Sequence, residues 1–577
     1  MSEIMNPAEL ASQKALEEVY ACLDKGQSFR LEAGAGAGKT YSLIKALRYL
    51  IERHHRNMPR HGQKIACITF TNVARDEILA RTDRSPLVLC ETIHSFCWSV
   101  ISSFQRQLRE RIVEIPAWQE RIADVDGLGE RIVEYSLGHR SIRDQSVYLH
   151  HEDVLLLTIK LMENIKFCRL MADRYPIILI DEYQDTDAGW VAAIKTHFLA
   201  QPGSPLFGFF GDHWQKIYGN GCGKLEHPAV KEIGKEANFR SVPTVVDALN
   251  RIRPELPQFV VDPEAIGQVR IFHTNNWGGR RRSGPHWGGD LPTDVGHQAL
   301  EYVRKILVAD GWNLSSEATK ILMLTHRLLA NEQGYSSLHD VFKYSDSFTA
   351  KEHSYIAYFV DVLEPACEAY AARKFGTMFE VLGSRVPQIS KPSDKKAWAR
   401  AMDALIDLSE RATVGGIINH LNEFRRPRLP DSIKDREREL RDFDRSTGIP
   451  LPDALAEIEK LHAVNYSEIK ALRAYHSGFS PFETKHGVKG AEFENVLVVV
   501  GRGWNRYNFE EMLALASSPK IPSAKQDAFE RNRNLFYVVC SRPKRRLALL
   551  FTQNLGQDAL GTLSRWFGAE NINSLPL

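Results

Sequence analysis

Short apolar runs alternate with helical patterns along most of the chain, and the runs fall into two blocks. Between the runs, apolar residues recur at helical spacing. Alternating strands and helices are typical of parallel sheets covered by helices. The pattern therefore predicts an α/β fold with two parallel-sheet cores. The predicted strands are 29–32, 65–70, 177–180 and 206–210 in the first block, and 269–272, 321–324, 496–500 and 547–551 in the second.

Two long stretches, near residues 99–170 and 336–477, interrupt this alternation. They are helical in pattern and rich in charge, and we interpret them as insertions into the two cores. Residues 275–296 have the composition of a loop, with several glycines, two prolines, two tryptophans and the run Arg280, Arg281 and Arg282. This segment is either a solvated surface loop, which charge runs usually mark, or a contact to a nucleic-acid backbone.

Composition narrows the class of protein. The net charge is only +2 over 577 residues, so any surface for nucleic acid must be a local basic groove. No apolar run reaches the roughly 18–20 residues of a membrane span, and residues 1–6 lack a secretory pattern. The eight cysteines are scattered without a C-x-x-C pair, which favours reduced thiols. These features predict a cytoplasmic protein that does not act at a membrane.

The segment 33–40 lies between a predicted strand and a predicted helix and is rich in glycine. Glycine lets a loop bring backbone N–H groups close to phosphate oxygens, and the helix start adds the positive end of its dipole. In such a loop, Lys39 reaches the β- and γ-phosphates and the Thr40 hydroxyl holds Mg²⁺. A flexible Gly-Ala loop is the alternative, since Ala33 stands where the strict pattern has glycine. The predicted ATP-binding residues are Ala33, Gly34, Ala35, Gly36, Ala37, Gly38, Lys39 and Thr40.

An acid pair at the end of a predicted strand supplies the partner that a phosphate loop needs. Asp181 and Glu182 follow the apolar run 177–180, and ligands bind at the carboxyl ends of strands in open α/β sheets. We expect Asp181 to bind Mg²⁺ and Glu182 to orient and deprotonate the attacking water. Without the phosphate loop, the same pair is compatible with a surface turn.

Three further polar residues are candidates to sense and neutralise the γ-phosphate: Gln215, Arg240 and Arg542. An arginine beside the γ-phosphate stabilises the charge of the transition state. Taken singly, each arginine is more typical of a surface or ion-paired residue. Their role therefore depends on whether the fold brings them to the phosphate loop.

Taken in order, these segments resemble the motifs of superfamily 1A DNA helicases of the UvrD, Rep and PcrA type. Nine segments are similar to that family's motifs across nearly the whole chain, and 181–186, with the sequence Asp-Glu-Tyr-Gln-Asp-Thr, is the most diagnostic. The similar segments are 6–13, 33–40, 69–74, 92–96, 181–186, 211–218, 238–241, 484–493 and 533–542.

The resemblance implies further roles. Gln13 is expected to read adenine, Phe239 to stack on adenine in place of the family's tyrosine, and Glu492 to contact the ribose. A track for single-stranded DNA needs aromatic faces for bases and donors for phosphates. The residues expected on this track are Phe70, Thr71, Asn72, His94, Tyr218 and His486. For Phe70, packing in the core is the alternative.

The implied fold is α/β, with two RecA-like parallel-sheet P-loop domains and two mainly helical insertions. Domain 1A comprises residues 1–98 and 171–250, and insertion 1B comprises 99–170. Domain 2A comprises residues 251–335 and 478–577, and insertion 2B comprises 336–477. The resemblance places ATP between 1A and 2A and DNA across their other face, with 3′→5′ polarity.

The chain also departs from the family pattern. Residues 220–223 are Asn-Gly-Cys-Gly, where the family has a Trp or Phe that stacks on bases, and the direction of the nearby Trp214 is open. Tyr41 replaces a frequent arginine after the phosphate loop. Both insertions look shorter than in the large members. This compact form resembles the helicases of Gabija-type phage defence, which pair with a nuclease.

We therefore expect an ATP-driven 3′–5′ DNA helicase or translocase acting on single-stranded DNA and at duplex junctions. The alternative is an ATP- and DNA-sensing regulatory subunit of a nuclease-containing anti-phage defence complex. A P-loop kinase or metabolic ATPase is a third interpretation, against which the DNA-track motifs and the second sheet argue.

Overall fold

The chain folds into two compact units in a computed structural model. The first unit comprises Met1–Val269, Leu515–Arg546 and Gly561–Glu570, and the second comprises Arg270–Ala514, Leu547–Leu560 and Asn571–Leu577. The structure describes residues 5–577 apart from 126, 136–139, 200, 217–218, 285–286, 325–333, 343–345, 350, 352, 384–388, 445–449, 477–481, 484–491 and 503–506.

A six-stranded parallel sheet forms the core of the first unit. The strands of this unit are β1 (Phe29–Ala33), β2 (Ile65–Thr69), β3 (Val88–Thr92), β4 (Ile132–Tyr135), β5 (Ser141–Ile142), β6 (Ser146–Leu149), β7 (Ile177–Asp181), β8 (Leu206–Gly211), β9 (Lys231–Lys235), β10 (Ala237–Asn238) and β11 (Phe259–Val260). The large sheet has the order β3-β2-β7-β8-β1-β9, and its neighbouring strands run parallel. The four strands predicted in the first block are confirmed to within one residue at each end.

Helices cover both faces of this sheet. The helices of the first unit are α1 (Pro7–Lys25), α2 (Lys39–His54), α3 (Asn72–Arg81), α4 (Ile93–Ile101), α5 (Gln105–Ile112), α6 (Gln119–Ala123), α7 (His151–Met162), α8 (Ile165–Arg174), α9 (Ala188–His197) and α10 (Pro243–Ile252), with the later helix Gln526–Cys540. In β7, Ile178 and Ile180 pack in one apolar cluster, whereas Ile177 and Leu179 pack in another. Because both faces are buried, the strand reads as a continuous apolar run.

The sequence patterns missed β3 and β9 at the two edges of the sheet. β9 has the sequence Lys-Glu-Ile-Gly-Lys and exposes Glu232 and Gly234. Charged residues are typical of an edge strand, where they discourage pairing with another chain. Such a strand leaves no apolar run for a pattern to detect.

The stretch 99–170 is only partly as predicted. It contains α5–α8, but β4, β5 and β6 form a three-stranded sheet that the helical pattern did not predict. Val133, Val147 and Leu149 are the buried residues of these strands. These strands are too short for an alternation of buried and exposed residues to be distinguished from a loop sequence.

The second unit is built on another six-stranded sheet. Its strands are β12 (Gln268–His273), β13 (Thr319–Met323), β14 (Phe482–Glu483), β15 (Phe493–Val500), β16 (Pro543–Phe551) and β17 (Ile572–Ser574). Their order is β14-β13-β15-β16-β12-β17, and β13 pairs in parallel with β14 and β15. All four strands predicted in the second block are present, and the two short edge strands were not predicted.

Between the strands, the second unit is helical, as predicted for 336–477. The helices from Ser336 to His476 share an apolar core that includes Tyr355, Phe359 and Trp398. In the part of the chain that the structure describes, no helix combines the length and apolar character needed to cross a bilayer. The remaining helices are α11 (Thr293–Ala309), Ser336–Val341, Asp346–Thr349, Ser354–Tyr358, Glu364–Ala371, Phe375–Leu382, Pro392–Ser409, Val414–Phe424, Asp431–Asp442, Asp453–His462, Tyr466–His476, Phe509–Leu515 and Gln557–Phe567.

Candidate nucleotide site and nucleic-acid track

The parallel sheet of the first unit brings the predicted site residues to one edge. The phosphate loop follows β1, the Asp181–Glu182 pair ends β7, Gln215 follows β8, and Phe70 and His94 follow β2 and β3. Neighbouring strands lie about 4.8 Å apart, so the three steps from β1 to β2 span roughly 14 Å. The phosphate loop after β1 and Phe70 after β2 are thus separated only by β8 and by β7, which carries the acid pair.

The phosphate loop has the conformation that its glycines predict. Gly36 and Gly38 have positive φ angles of 75° and 72°, and α2 begins at Lys39, immediately after Gly38. Non-glycine residues adopt this backbone region only with strain. The loop therefore delivers the start of α2, with its unpaired N–H groups and positive dipole end, to the edge of the sheet.

Two buried amide side chains hold the loop from behind. Asn238 Nδ2 and Gln258 Nε2 each donate to the Ala35 carbonyl at 3.1 Å, and the Phe239 N–H donates to the Gly36 carbonyl at 2.9 Å. Asn238 belongs to a segment singled out by its resemblance, but no motif contains Gln258. Gln258 reaches the loop only because of the path that the chain takes after α10, and the sequence pattern does not predict this path.

Lys39 and Glu182 face each other across the site. The Lys39 ammonium lies 3.8 Å from the Glu182 carboxylate, and both side chains are largely buried. Glu182 has φ 47° and ψ 46°, a left-handed conformation that is strained for a residue with a Cβ. Strain of this kind is typical of functional sites whose surroundings hold it in place.

Gln184 connects this acid to the neighbouring strand. Its amide nitrogen donates to Glu182 Oε2 at 2.6 Å, and its amide oxygen accepts from the Asp212 N–H at 3.0 Å. Gln184 is fully buried. The position of the proposed base is therefore linked directly to the end of β8.

Gln215 lies close to the same link. It is buried, and its amide nitrogen donates to Asp212 Oδ2 at 2.7 Å. The other oxygen of Asp212 accepts from Arg253 at 2.6 Å. The structure thus brings Gln215 to the sheet edge that carries Asp181 and Glu182, which we call the acid edge. There Asp212 holds the Gln215 side chain.

Glu32 is the centre of a buried polar network that the sequence analysis missed. Its carboxylate accepts from the Tyr183 hydroxyl at 2.7 Å, the His213 N–H at 2.8 Å and Arg253 at 3.4 Å. Burial raises the pKa of Glu32, but hydrogen bonds and charge from His213 and the Tyr183 bond outweigh it and lower the pKa to about 2. One sequence signal could have revealed this network: Glu32 is a charged residue within the apolar strand β1, which leads into the phosphate loop.

Glu32, Asp212 and His213 also lie within 4.8 Å of one another, a spacing compatible with a metal ion. The Arg253 guanidinium already contacts both carboxylates, and it is 1% exposed. A buried guanidinium supplies the positive charge that these acids require. We therefore assign the group to structure and keep Thr40 and Asp181 as the candidate metal ligands.

The two candidate arginines lie in the first unit. Arg240 donates to the Ser541 carbonyl at 2.9 Å, and Ser241 donates to the Pro543 carbonyl at 2.7 Å. Arg542 is buried, and its Nε donates to the Val538 carbonyl at 2.9 Å. In this arrangement Arg542 holds the end of the helix Gln526–Cys540.

The residues expected around adenine differ in their settings. Phe239 follows Asn238 and is 44% exposed, which leaves its ring accessible for stacking. Gln13 is exposed on α1, donates to Glu17 at 2.9 Å, and lines a surface cavity of ≈ 560 Å³ with Glu236. Glu492 is exposed in the second unit, just before β15.

The expected DNA-track residues of the first unit lie at the ends of β2 and β3. Phe70 is 42% exposed, so it is not a core residue. Thr71 accepts from the Ala74 N–H at 3.2 Å and caps α3, whose first residue is the exposed Asn72. His94 is half-buried in the first turn of α4. Tyr218 and His486 lie outside the described residues.

A cavity of ≈ 420 Å³ joins this track to the acid edge. Its walls include Phe70 and His94 on one side and Asp181 and Asp185 on the other. His151 of α7 closes it, with its ring 5.6 Å from that of His94. Burial and the neighbouring His151 lower the pKa of His94, which favours its neutral form.

Packing fixes the settings of Trp214 and of Arg281. Trp214 is buried, with Arg533 stacked 3.8 Å from its ring centre, so it is not an exposed base platform. In the loop 275–296, Arg281 donates to the carbonyls of Thr274, Gly289 and Thr552. This arginine is a structural clamp and is not available to a nucleic-acid backbone.

A glycine-rich loop between strand and helix, an acid pair on a nearby strand and RecA-like parallel sheets define a P-loop nucleotide-binding protein. The profile of the UvrD/REP helicase N-terminal domain matches residues 14–125 and 140–223. This match and the relatives below make the chain similar to the UvrD-like proteins of superfamily 1A.

Relatives match to different extents. Gabija protein GajB of Bacillus cereus is 23% identical over 98% of this chain and 99% of its own length. ATP-dependent DNA helicase Rep of Escherichia coli is 24% identical, over 38% of this chain and 40% of its own length. A probable DNA helicase II homolog of Mycoplasma capricolum is 23% identical, over 46% of this chain and 43% of its own.

The network around Glu32 predicts a specific acid sensitivity. Because the pKa of Glu32 falls from 4.5 to about 2 on folding, its charge stabilises the protein above pH 4.5, and this contribution is lost as the pH falls towards 2. Glu32→Gln should remove on the order of 3 kcal/mol at neutral pH and flatten this part of the pH profile. Urea unfolding of the first unit between pH 3 and 7 measures both effects.

The control is Asp247→Asn, which removes an exposed carboxylate from α10 of the same unit. This variant should keep the wild-type pH profile. Equal profiles for the two variants would show that the Glu32 charge is not the source of the acid sensitivity.

The crowding around the loop predicts that Gly36 cannot accept a methyl group. A Cβ there would lie 2.8 Å from Asn238 Oδ1 and 2.9 Å from Arg240 Cβ. Gly36→Ala should weaken ATP binding at least about tenfold, because either the loop or Asn238 must move. Gly26 has a similar φ of 64° with open space around it, so Gly26→Ala should cost about 1 kcal/mol of stability and leave ATP affinity unchanged. Calorimetric titration of both variants tests this pair.

Proposed function

We propose that this chain is an ATP-dependent 3′–5′ DNA helicase or translocase. The observation that carries the proposal is the shared sheet edge of the first unit. At this edge Lys39 lies 3.8 Å from Glu182, and a cavity joins Asp181 to Phe70 and His94. A nucleotide-hydrolysis site and a nucleic-acid track on adjacent strands have the arrangement that a motor needs to couple the two.

Residues for ATP are positioned by backbone geometry and charge. The start of α2 offers N–H groups to the phosphates, and Lys39 exchanges its contact with Glu182 for the β- and γ-phosphates. Phe239 stacks on the base, and Gln13 and Glu492 contact adenine and ribose. The Thr40 hydroxyl and the Asp181 carboxylate are oxygen donors of the kind that Mg²⁺ prefers, and a bound Mg²⁺ neutralises phosphate charge.

Glu182 is the candidate general base. When Lys39 turns to the phosphates, the Glu182 carboxylate becomes available to a water molecule beside the γ-phosphate. The hydrogen bond from Gln184 holds this carboxylate in place. Gln215, Arg240 and Arg542 are proposed to sense the γ-phosphate, and for Arg542 this requires that its side chain leave the Val538 carbonyl.

Coupling to DNA is proposed to run through the same contacts. Phe70, Thr71, Asn72 and His94, with Tyr218 and His486, are proposed to contact single-stranded DNA next to duplex junctions. A base that enters the cavity between Phe70 and His94 would approach Asp185, which accepts from Gln184 at 3.1 Å. Gln184 also contacts Glu182, the proposed general base. The occupancy of the cavity by DNA and the position of the Glu182 carboxylate are therefore linked through the Gln184 side chain.

A second function is supported by the comparison over full length. The similarity to Gabija protein GajB covers 98% of this chain, against 38% for Rep. This supports an ATP- and DNA-sensing regulatory subunit that acts with a nuclease in cytoplasmic anti-phage defence. Both functions use the same ATP site, and they differ in whether hydrolysis moves the protein along DNA.

The first test is ATP hydrolysis with and without single-stranded DNA. We expect DNA to stimulate the wild-type protein, and Glu182→Gln to reduce turnover at least about 100-fold while ATP still binds, because general-base catalysis contributes 10²–10⁴-fold. Glu52→Gln is the control, since Glu52 is exposed near the end of α2 that lies away from the phosphate loop. Wild-type hydrolysis that DNA does not affect would contradict the motor.

Polarity and partner are tested separately. Duplexes with a 3′ or a 5′ single-stranded tail should be unwound only from the 3′ tail. Unwinding from the 5′ tail alone would overturn the polarity. DNA-stimulated hydrolysis without unwinding, together with co-purification of a nuclease, would favour the regulatory subunit.

A further inference from the structure

A lysine side chain lies buried beneath the phosphate loop. Lys235, the last residue of β9, is 0% exposed. Its ammonium donates to the Gly38 carbonyl at 3.2 Å and to the Ser42 hydroxyl at 2.7 Å. Gly38 precedes the first residue of α2 and Ser42 lies in its first turn, so the Lys235 ammonium contacts the start of α2 at two points.

The described part of the chain offers this charge no carboxylate partner. Among the residues that the structure describes, none places a carboxylate oxygen within 4.0 Å of the Lys235 ammonium. Burial lowers the pKa of Lys235 to about 8, because the charged form loses its hydration. At the other end of β9, Lys231 is 38% exposed and paired with Glu18 at 2.8 Å. Of the two lysines in β9, Lys231 therefore has a carboxylate partner, whereas Lys235 has none among the described residues.

Two accessible aromatic rings stand above the buried nitrogen. The ring centres of Phe239 and Tyr41 lie 5.7 Å and 6.0 Å from the Lys235 ammonium. The rings are 44% and 51% exposed, respectively. Their faces attract the cation and their outer parts remain free to contact a base. Lys235 thus lies buried beneath two exposed aromatic rings.

We propose that Lys235 is a nucleotide-positioning residue: its buried ammonium holds Gly38 and the start of α2 beneath the Tyr41 and Phe239 rings, and the polyphosphate of a bound nucleotide supplies the missing counter-charge. This inference rests on the proposed nucleotide site and extends it to a second lysine. A charge kept without an acid costs stability in the free protein. That cost is recovered when an anion binds nearby, which favours nucleotides with more phosphates.

The proposal gives Lys235→Met an unusual combination of effects. Methionine has a similar length and no charge, so the free protein should unfold at the same temperature as the wild type or higher. Affinity for the non-hydrolysable analogue AMP-PNP should fall at least about tenfold, the scale of a lost charged contact. Affinity for ADP should fall less, and that for adenosine least. If Lys235 only supported the fold, its replacement by methionine would lower the unfolding temperature of the free protein.

Lys231→Met is the matched control on the same strand. We would measure thermal unfolding of the wild type and both variants without nucleotide, and calorimetric titration with adenosine, ADP and AMP-PNP. The control should keep wild-type affinities within twofold. A lowered unfolding temperature of free Lys235→Met, an AMP-PNP affinity within twofold of wild type, or equal losses for adenosine and AMP-PNP would each overturn the inference. Failure of the wild type to bind AMP-PNP would instead overturn the proposed function.

Discussion

The buried carboxylate of Glu32 is the interaction on which the geometry of the first unit depends. It lies in the strand that enters the phosphate loop and contacts Tyr183, which follows the acid pair, and His213, which precedes Gln215. Arg253 adds the balancing positive charge from the end of α10. A buried charge that loses one partner is strongly destabilising, whereas a fully paired one specifies a single arrangement. Three segments that are distant in sequence and carry predicted site residues are thus aligned by one side chain.

This network also explains why the acid edge is rigid where chemistry requires it. Each oxygen of Glu32 has a defined donor, and Asp212 divides its oxygens between Arg253 and Gln215. Hydrogen bonds in a low-dielectric interior strengthen one another and are costly to break singly. Trp214 and Tyr537 pack edge to face, and both rings lie beside the Arg253 guanidinium. Catalytic side chains held in this way need little reorganisation during reaction.

The sequence predicted the sheet cores well because parallel strands buried on both faces leave continuous apolar runs, as 177–180 does. It predicted the phosphate loop and acid pair because their chemistry requires particular residues at fixed spacing. Gln258, Glu32 and Lys235 were missed, since their importance comes from contacts between distant segments. The strands β4–β6 were missed for a different reason: their few inward residues, such as Val133, do not exceed the helical signal around them.

Glu182 has a backbone conformation that is unfavourable for every residue with a Cβ, and mildest for asparagine. Glycine would adopt this conformation without strain, but it would lose the contacts of the carboxylate to Lys39 and Gln184. Under the proposed function, the strain is the cost of keeping a carboxylate at this point of the site. Position 182 is then an evolutionary marker: relatives that hydrolyse ATP would keep an acid there despite the strain, whereas relatives without hydrolysis would be free to carry glycine or asparagine.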